Sequence, residues 1–206
     1  MNKLRLLRLL FNIYKYPVFL VTLKTSNSLL LLREDANRVL NKDIDSISKL
    51  DIFLLVLRDK NFATIYLYRI GNKKVCNYIN SMLFKWNKNI EINTPIIGGG
   101  LIVYHSMGSV ISAHSIGSNV SISQGVTIGN GGARRELREG ERNKPIIEDN
   151  VNITTNAIVI GPITIGQGAV IGAGSVITRD VPPGAIVVGN PQKIIAFDEK
   201  YRKRDG

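Results

Sequence analysis

Residues 163–191 read ITIGQGAVIGAGSVITRDVPPGAIVVGNP, with aliphatic side chains six apart at Ile165, Ile171 and Ile177. The same step continues towards the N-terminus through Val159, Ile153 and Ile147, six successive hits without a slip. Upstream of a gap it recurs at Ile128, Ile122, Ile116 and Val110, and before those at Val103 and Ile97. The fifth position of each hexad is small or short-branched: Val120, Val126, Val151, Ala157, Ile163, Ala169, Ser175 and Val181. Glycine is frequent at the second, as in Gly98, Gly117, Gly129, Gly166 and Gly172.

Alternation marks an ordinary half-buried strand and a period near 3.6 a helix; a period of six is neither. It fits a three-sided prism. Each hexad supplies one short flat strand and a corner, three hexads make a coil, and stacked coils bury the first-position aliphatics as interior ladders. The predicted fold class is therefore mainly β, a parallel β-helix over residues 91–196. The register breaks twice. One extra residue lies between Val103 and Val110, and a longer insertion, NGGARRELREGERNKP at 130–145, separates Ile128 from Ile147. Its polar, charged and glycine-rich content cannot lie on an apolar ladder, so it is expected to protrude, and loops of that length in compact repeats carry function.

The first 90 residues follow a different rule. Ser28–Leu40, Ile47–Arg58 and Phe62–Trp86 place apolar residues at helical spacing, punctuated by Asp59 and Asn61, so this part is read as a small α-helical domain. The opening MNKLRLLRLLFNIYKYPVFLVTL is interrupted by Arg5, Arg8 and Lys15, and its uncharged run between Lys15 and Lys24 is far short of the ~20 residues of a membrane span. It has no small-residue cleavage site, and Pro17 breaks a continuous helix. It reads as a basic amphipathic helix followed by a second apolar segment, packed into a core or resting on a membrane surface. Residues 197–206 form a basic tail.

At 206 residues, 44% apolar and 21% charged, the chain can bury one sizeable core or two small ones, and disorder is excluded. The single cysteine, Cys76, rules out an intrachain disulfide, and neither C-x-x-C spacings nor His/Cys clusters are present, so cytoplasmic residence and no metal are expected. Residues 1–95 carry 16 Lys/Arg against 7 Asp/Glu and residues 96–206 carry 11 against 9, so +9 of the net +11 lies in the first part. That basic half suits an anionic lipid surface or an anionic glycan. Nucleic acid is not expected as a partner, because no helix-turn-helix signature or aromatic-basic stacking run accompanies the charge.

GGGLIVYHSMG at 98–108, IGSNVSISQGVTIGNGG at 116–132 and IGQGAVIGAGSVITRDVPPGAIVVGNPQKII at 165–195 resemble the hexapeptide-repeat acyltransferases, in their serine acetyltransferase-like branch. FATIYLYRI at 62–70 looks like the segment that precedes the β-helix there, so the similarity spans residues 62–196. The resemblance implies a left-handed parallel β-helix, a homotrimer, and acetyl-CoA as co-substrate in the groove between neighbouring helices.

Chemistry points independently to the two histidines, His105 and His114, because acetyl transfer from a thioester to a hydroxyl needs a base titrating near neutrality. His105 stands at a corner beside the extra residue, where the resemblance places the base. His114 falls at a fifth position and is expected to point inward. In the resembling enzymes a carboxylate fifteen residues before the base holds its tautomer; here Glu91, fourteen residues ahead of His105, is the candidate. For the coenzyme, Thr155 and Ala173 match small flanking positions, TTNA at 154–157 standing for the family's GAGA and GAGS at 172–175 being intact. Gly129 and Gly131 are expected to face the thioester, and Arg179 and Lys193 to meet phosphates.

The acceptor positions depart from the serine acetyltransferase pattern. An aspartate normally precedes the base and an Arg-His pair in the loop holds the amino acid; this chain has Tyr104, Asn143 and Lys144. An aromatic face suits a pyranose. The expected reaction is therefore O-acetylation of a sugar hydroxyl in surface polysaccharide synthesis (capsule or O-antigen), by direct transfer with His105 as base, at a peripheral site on the inner membrane face. Serine O-acetylation in cysteine biosynthesis is the alternative, and a non-catalytic β-helix scaffold a weaker one.

Overall fold

A computed structural model of the chain describes residues 10–71, 74–132 and 142–201, the side chains of 74–77 apart. The chain divides between Asn87 and Lys88 into two units. In the first, the helices are α1 Tyr16–Ser26, α2 Leu29–Leu40, α3 Lys49–Arg58, α4 Lys60–Arg69 and α5 Lys74–Leu83. Pro17 sits in the first turn of α1, where a missing N–H costs nothing. The single helical stretch expected over 62–86 is two helices: α4 ends at Arg69 with Ile70 as its C-cap, and Gly71 follows with φ +74°, a left-handed exit. Asp59 caps α4, accepting from the N–H groups of Asn61 and Phe62 at 2.8 and 3.3 Å.

The aromatic rings of Phe19, Phe53, Tyr66 and Phe84 form the centre of this unit, with centroids 5.3 Å apart for Phe19 and Phe53 and 5.7 Å for Tyr66 and Phe84. The buried Tyr66 hydroxyl donates to Asn80 Oδ1 at 2.9 Å, and the Asn80 amide donates to Thr22 Oγ1 at 3.1 Å. Arg69 grips Asp35 as a fork, Nε to Oδ2 at 2.9 Å and Nη2 to Oδ1 at 3.0 Å, both side chains being sealed from water. The second apolar segment of the opening stretch thus puts Phe19, Thr22 and Leu23 into a core. Its predicted basic helix falls largely on residues 1–9, outside the described residues. No helix among the described residues is long and apolar enough to cross a membrane.

The second unit winds as five coils with three faces, each a parallel sheet whose neighbours come from successive coils. Face A stacks Ile90–Ile92, Ser109–Ile111, Thr127–Gly129, Ile158–Ile160 and Val176–Ile177. Face B stacks Ile97, Ser115–Ile116, Ile146–Ile147, Thr164–Ile165 and Val181. Face C stacks Ile102–Val103, Ser121–Ile122, Asn152–Ile153, Val170–Ile171 and Ala185–Val188, then closes with Lys193–Phe197 running antiparallel. The interior ladders are the hexad aliphatics: Ile111, Ile128, Val159 and Ile177 on A, Ile97, Ile116, Ile147 and Ile165 on B, and Val103, Ile122, Ile153 and Ile171 on C are all buried.

Two corner conditions hold the coils together. A Cβ added at Gly166 would lie 2.5 Å from the backbone nitrogen of Pro183 in the next coil, so the second position must stay bare where coils touch. The residue three places before each ladder aliphatic on faces C and A adopts positive φ where the corner is regular: Gly100, Asn119, Asn150 and Gly168 ahead of face C, and Gly108, Gly125, Asn156 and Gly174 ahead of face A. Only glycine and asparagine take that conformation at low cost, about 1–2 kcal/mol being the penalty for other L-residues.

Two register expectations are corrected. Val110 is 38% exposed, and Ile111, paired with Ile128, takes the ladder place. The extra length therefore lies wholly in the corner 104–110, and the next corner, from Ile111 to Ile116, is one residue short. Near the C-terminus Val181, placed at a fifth position by spacing, pairs with Ile165 and serves as the face B ladder residue.

Candidate active site

The three prism edges are named by the faces they join. Edge CA carries residues 104–109, 123–126, 154–157 and 172–175 in successive coils, edge AB carries 112–114, 129–132, 142–145, 161–163 and 178–180, and edge BC carries 117–120, 148–151 and 166–169. His105 stands on edge CA of the first coil, in the widened corner. Its side chain is exposed and its backbone is left-handed, with φ +49°, in addition to Gly108 at the regular left-handed place. Strain of that kind persists only where surrounding contacts enforce it. Here the Gly108 N–H donates to the Asn89 carbonyl at 2.8 Å and the Gly125 N–H to the Met107 carbonyl at 3.0 Å, tying the corner to the chain on both sides. The imidazole makes no hydrogen bond or ion pair to another described residue.

Thr155 and Ala173 share edge CA with His105. The Gly174 N–H donates to the Thr155 carbonyl at 2.9 Å, stacking the two corners, and Ala173 is exposed on the outer rim. In TTNA the left-handed place is filled by Asn156, φ +58°, as Gly174 fills it in GAGS at φ +66°. Tyr104, 48% exposed, adjoins His105 on the same edge.

The remaining predicted residues lie elsewhere in this chain. Gly129 and Gly131 open the insertion on edge AB, and Asn143 and Lys144 close it, half-buried; residues 133–141 of the expected loop lie outside the described residues. Arg179 is exposed on the same edge, its N–H held at 3.1 Å by the Gln192 side chain. Lys193 is on the terminal antiparallel strand, paired with Val188. Glu91 projects from face A beside Val110, and its carboxylate accepts from the Asn93 side-chain amide; no hydrogen bond or ion pair joins it to His105. His114, expected to point inward, is exposed on edge AB, with its N–H donating to the Pro145 carbonyl at 2.7 Å. Because Ile111 is the ladder residue, Ala113 fills the interior of that shortened corner and the imidazole is turned out. Among the described residues no three His, Cys, Asp or Glu side chains gather as a metal site.

Residues 144–179 match the family described as bacterial transferase hexapeptide (six repeats). A serine acetyltransferase of Bacillus licheniformis is 35% identical over 183 residues, 85% of this chain and 81% of the relative. The chain belongs to the serine acetyltransferase family. Among solved structures, the serine acetyltransferase of Neisseria gonorrhoeae in complex with serine matches at a TM-score of 0.65 and 29% identity, over 88% of this chain and 74% of that one. The enzyme of Brucella abortus in complex with coenzyme A matches at 0.59 and 27%, over 88% and 73%.

Family membership makes the β-helix left-handed and the chain an acetyl-CoA-dependent acyltransferase, with acetyl-CoA as its co-substrate. It also corrects the expected acceptor. Relatives that match over more than four fifths of both chains are serine acetyltransferases, which overturns the reading of a sugar hydroxyl in polysaccharide synthesis. Tyr104, Asn143 and Lys144 had suggested it, but a phenol, an amide and an ammonium donate to a carboxylate as readily as to a pyranose hydroxyl. These relatives and structures equally give no support to a glycan acceptor or a membrane-surface contact.

Proposed function

We propose that this chain transfers the acetyl group of acetyl-CoA to the side-chain hydroxyl of L-serine, with His105 as general base. The observation that supports it most is the match to serine acetyltransferases along nearly the whole chain, including one solved with serine. The exposed imidazole in a strained, widened corner supports the role of His105. His105 takes the proton from the serine hydroxyl as its oxygen attacks the thioester carbonyl. A backbone N–H of Gly129 or Gly131 meets the oxyanion. Collapse breaks the C–S bond, and the imidazolium returns its proton to the departing thiolate. Lys144 and Asn143 receive the amino acid's carboxylate, and Tyr104 lies against it.

His105, Thr155 and Ala173 are on edge CA, whereas Gly129, Gly131 and Lys144 are on edge AB of the same chain. A homotrimer, in which edge CA of one copy faces edge AB of the next, supplies both walls of one groove. Glu91 is proposed as the carboxylate that orients His105. Glu91→Gln then lowers kcat and shifts the acid limb of its pH profile without changing the melting temperature, whereas an unchanged profile restricts Glu91 to its contact with Asn93.

Thiol release from acetyl-CoA tests the acceptor. Saturable release that depends on L-serine is expected, with O-acetyl-L-serine as product. A rate no greater with L-serine than without it would contradict the proposal.

A further inference from the structure

The three edges of the β-helix differ in charge. Among the described residues, edge CA has no Asp, Glu, Lys or Arg, and edge BC has Glu148 and Asp149 with no cation. Edge AB carries Arg142 and Lys144 on its third coil and Arg179 on its fifth, with Asp180 as the one acid among the described residues. The acids of edge BC are occupied, Glu148 accepting from the Gln167 N–H and Asp149 from the Ser118 N–H, both at 2.7 Å. Asp180 likewise accepts from the Thr164 N–H at 2.7 Å and forms no ion pair with Arg142.

Arg142 stands out on this edge. Its Nη2 donates to Thr164 Oγ1 at 2.9 Å, which fixes the plane of the guanidinium against the fourth coil. Its Nη1 is covered and has no hydrogen-bond partner. A covered cationic donor left unmade is costly, so such a group gains more than an exposed one when an anionic oxygen reaches it. One carboxylate would need one cation; several cations on one edge of the prism match a ligand with several negative groups. The co-substrate of this family is such a ligand.

We propose that Arg142 is a binding residue for a phosphate of coenzyme A, with Thr164 holding its fork and Arg179 adding charge two coils further on. The proposal rests on the coenzyme and not on the identity of the acceptor. Sequence reading passed over Arg142 because it lies among the charges of the insertion, and only the orphaned Nη1 sets it apart.

The test compares the wild-type chain with Arg142→Gln. Coenzyme A binding by titration calorimetry is expected to weaken about 10- to 100-fold, while kcat/KM with S-acetylpantetheine, which has no phosphates, and the KM for L-serine stay as they were. Arg142→Lys keeps the charge, loses the fork and gives an intermediate loss. Unchanged coenzyme A binding overturns the proposal. So does a rise confined to the KM for L-serine, which would assign the guanidinium to the acceptor's carboxylate. If L-serine is not acetylated at all, the calorimetry still decides the role of Arg142, so the two readings fail separately.

Discussion

His105→Asn is expected to lower kcat by about 10²- to 10⁴-fold, the usual contribution of a general base, with the melting temperature unchanged. Asparagine is chosen because the β-helix already uses it at left-handed corners, at Asn119, Asn150 and Asn156, so the φ of +49° is kept and only the base is lost. Alanine would mix the loss of the imidazole with the backbone penalty. His114→Asn, on edge AB and outside the proposed chemistry, is the matching control. A retained rate in His105→Asn would remove the imidazole from the mechanism and with it the significance of the widened corner.

The second large effect is on stability. Asp35→Ala strips Arg69 of its carboxylate inside the helical unit, where the two side chains are 0% and 2% exposed. Breaking a buried pair from one side strands a charge in a dry interior and typically costs about 3–5 kcal/mol. The single tryptophan, Trp86, lies in this unit, so its fluorescence in urea follows the unit directly. The midpoint is expected to fall strongly for Asp35→Ala and much less for the double variant Asp35→Leu with Arg69→Met, which removes both charges. Equal losses would mean that the pair is being felt as packing volume and not as charge.

The ladders were legible because burying one side chain per coil face imposes a strict period, and eleven of the twelve hexad aliphatics from Ile97 to Ile177 occupy buried ladder places, Val110 being the exception. Val110 was misread because a corner of eight residues followed by one of five spans almost the same length as two regular hexads. Two adjacent aliphatics, Val110 and Ile111, both fit the count. A second signal was present: the left-handed residue lies three places before the ladder on faces C and A, and Gly108 therefore points to Ile111. Inward or outward direction at His114 followed from that same slip. The helix break at Gly71 was passed over because the apolar spacing continues through it.

The site was legible only in part. His105, Thr155 and Ala173 fall on one edge because all three belong to corners between the same two faces. Spacing along one chain cannot show which edges meet between copies, and so it could not bring Gly129, Gly131 or Lys144 to His105. The acceptor was misjudged because three exposed or half-buried side chains were weighed more heavily than the pattern of the whole chain.

The most direct measurement is a crystal structure of the chain with coenzyme A bound. The account predicts the coenzyme sulfur within about 4 Å of the His105 imidazole, close enough for proton transfer to the departing thiolate, in a groove walled by Thr155 and Ala173. A sulfur lying instead along the Glu148–Asp149 edge, with the imidazole facing empty solvent, would contradict it.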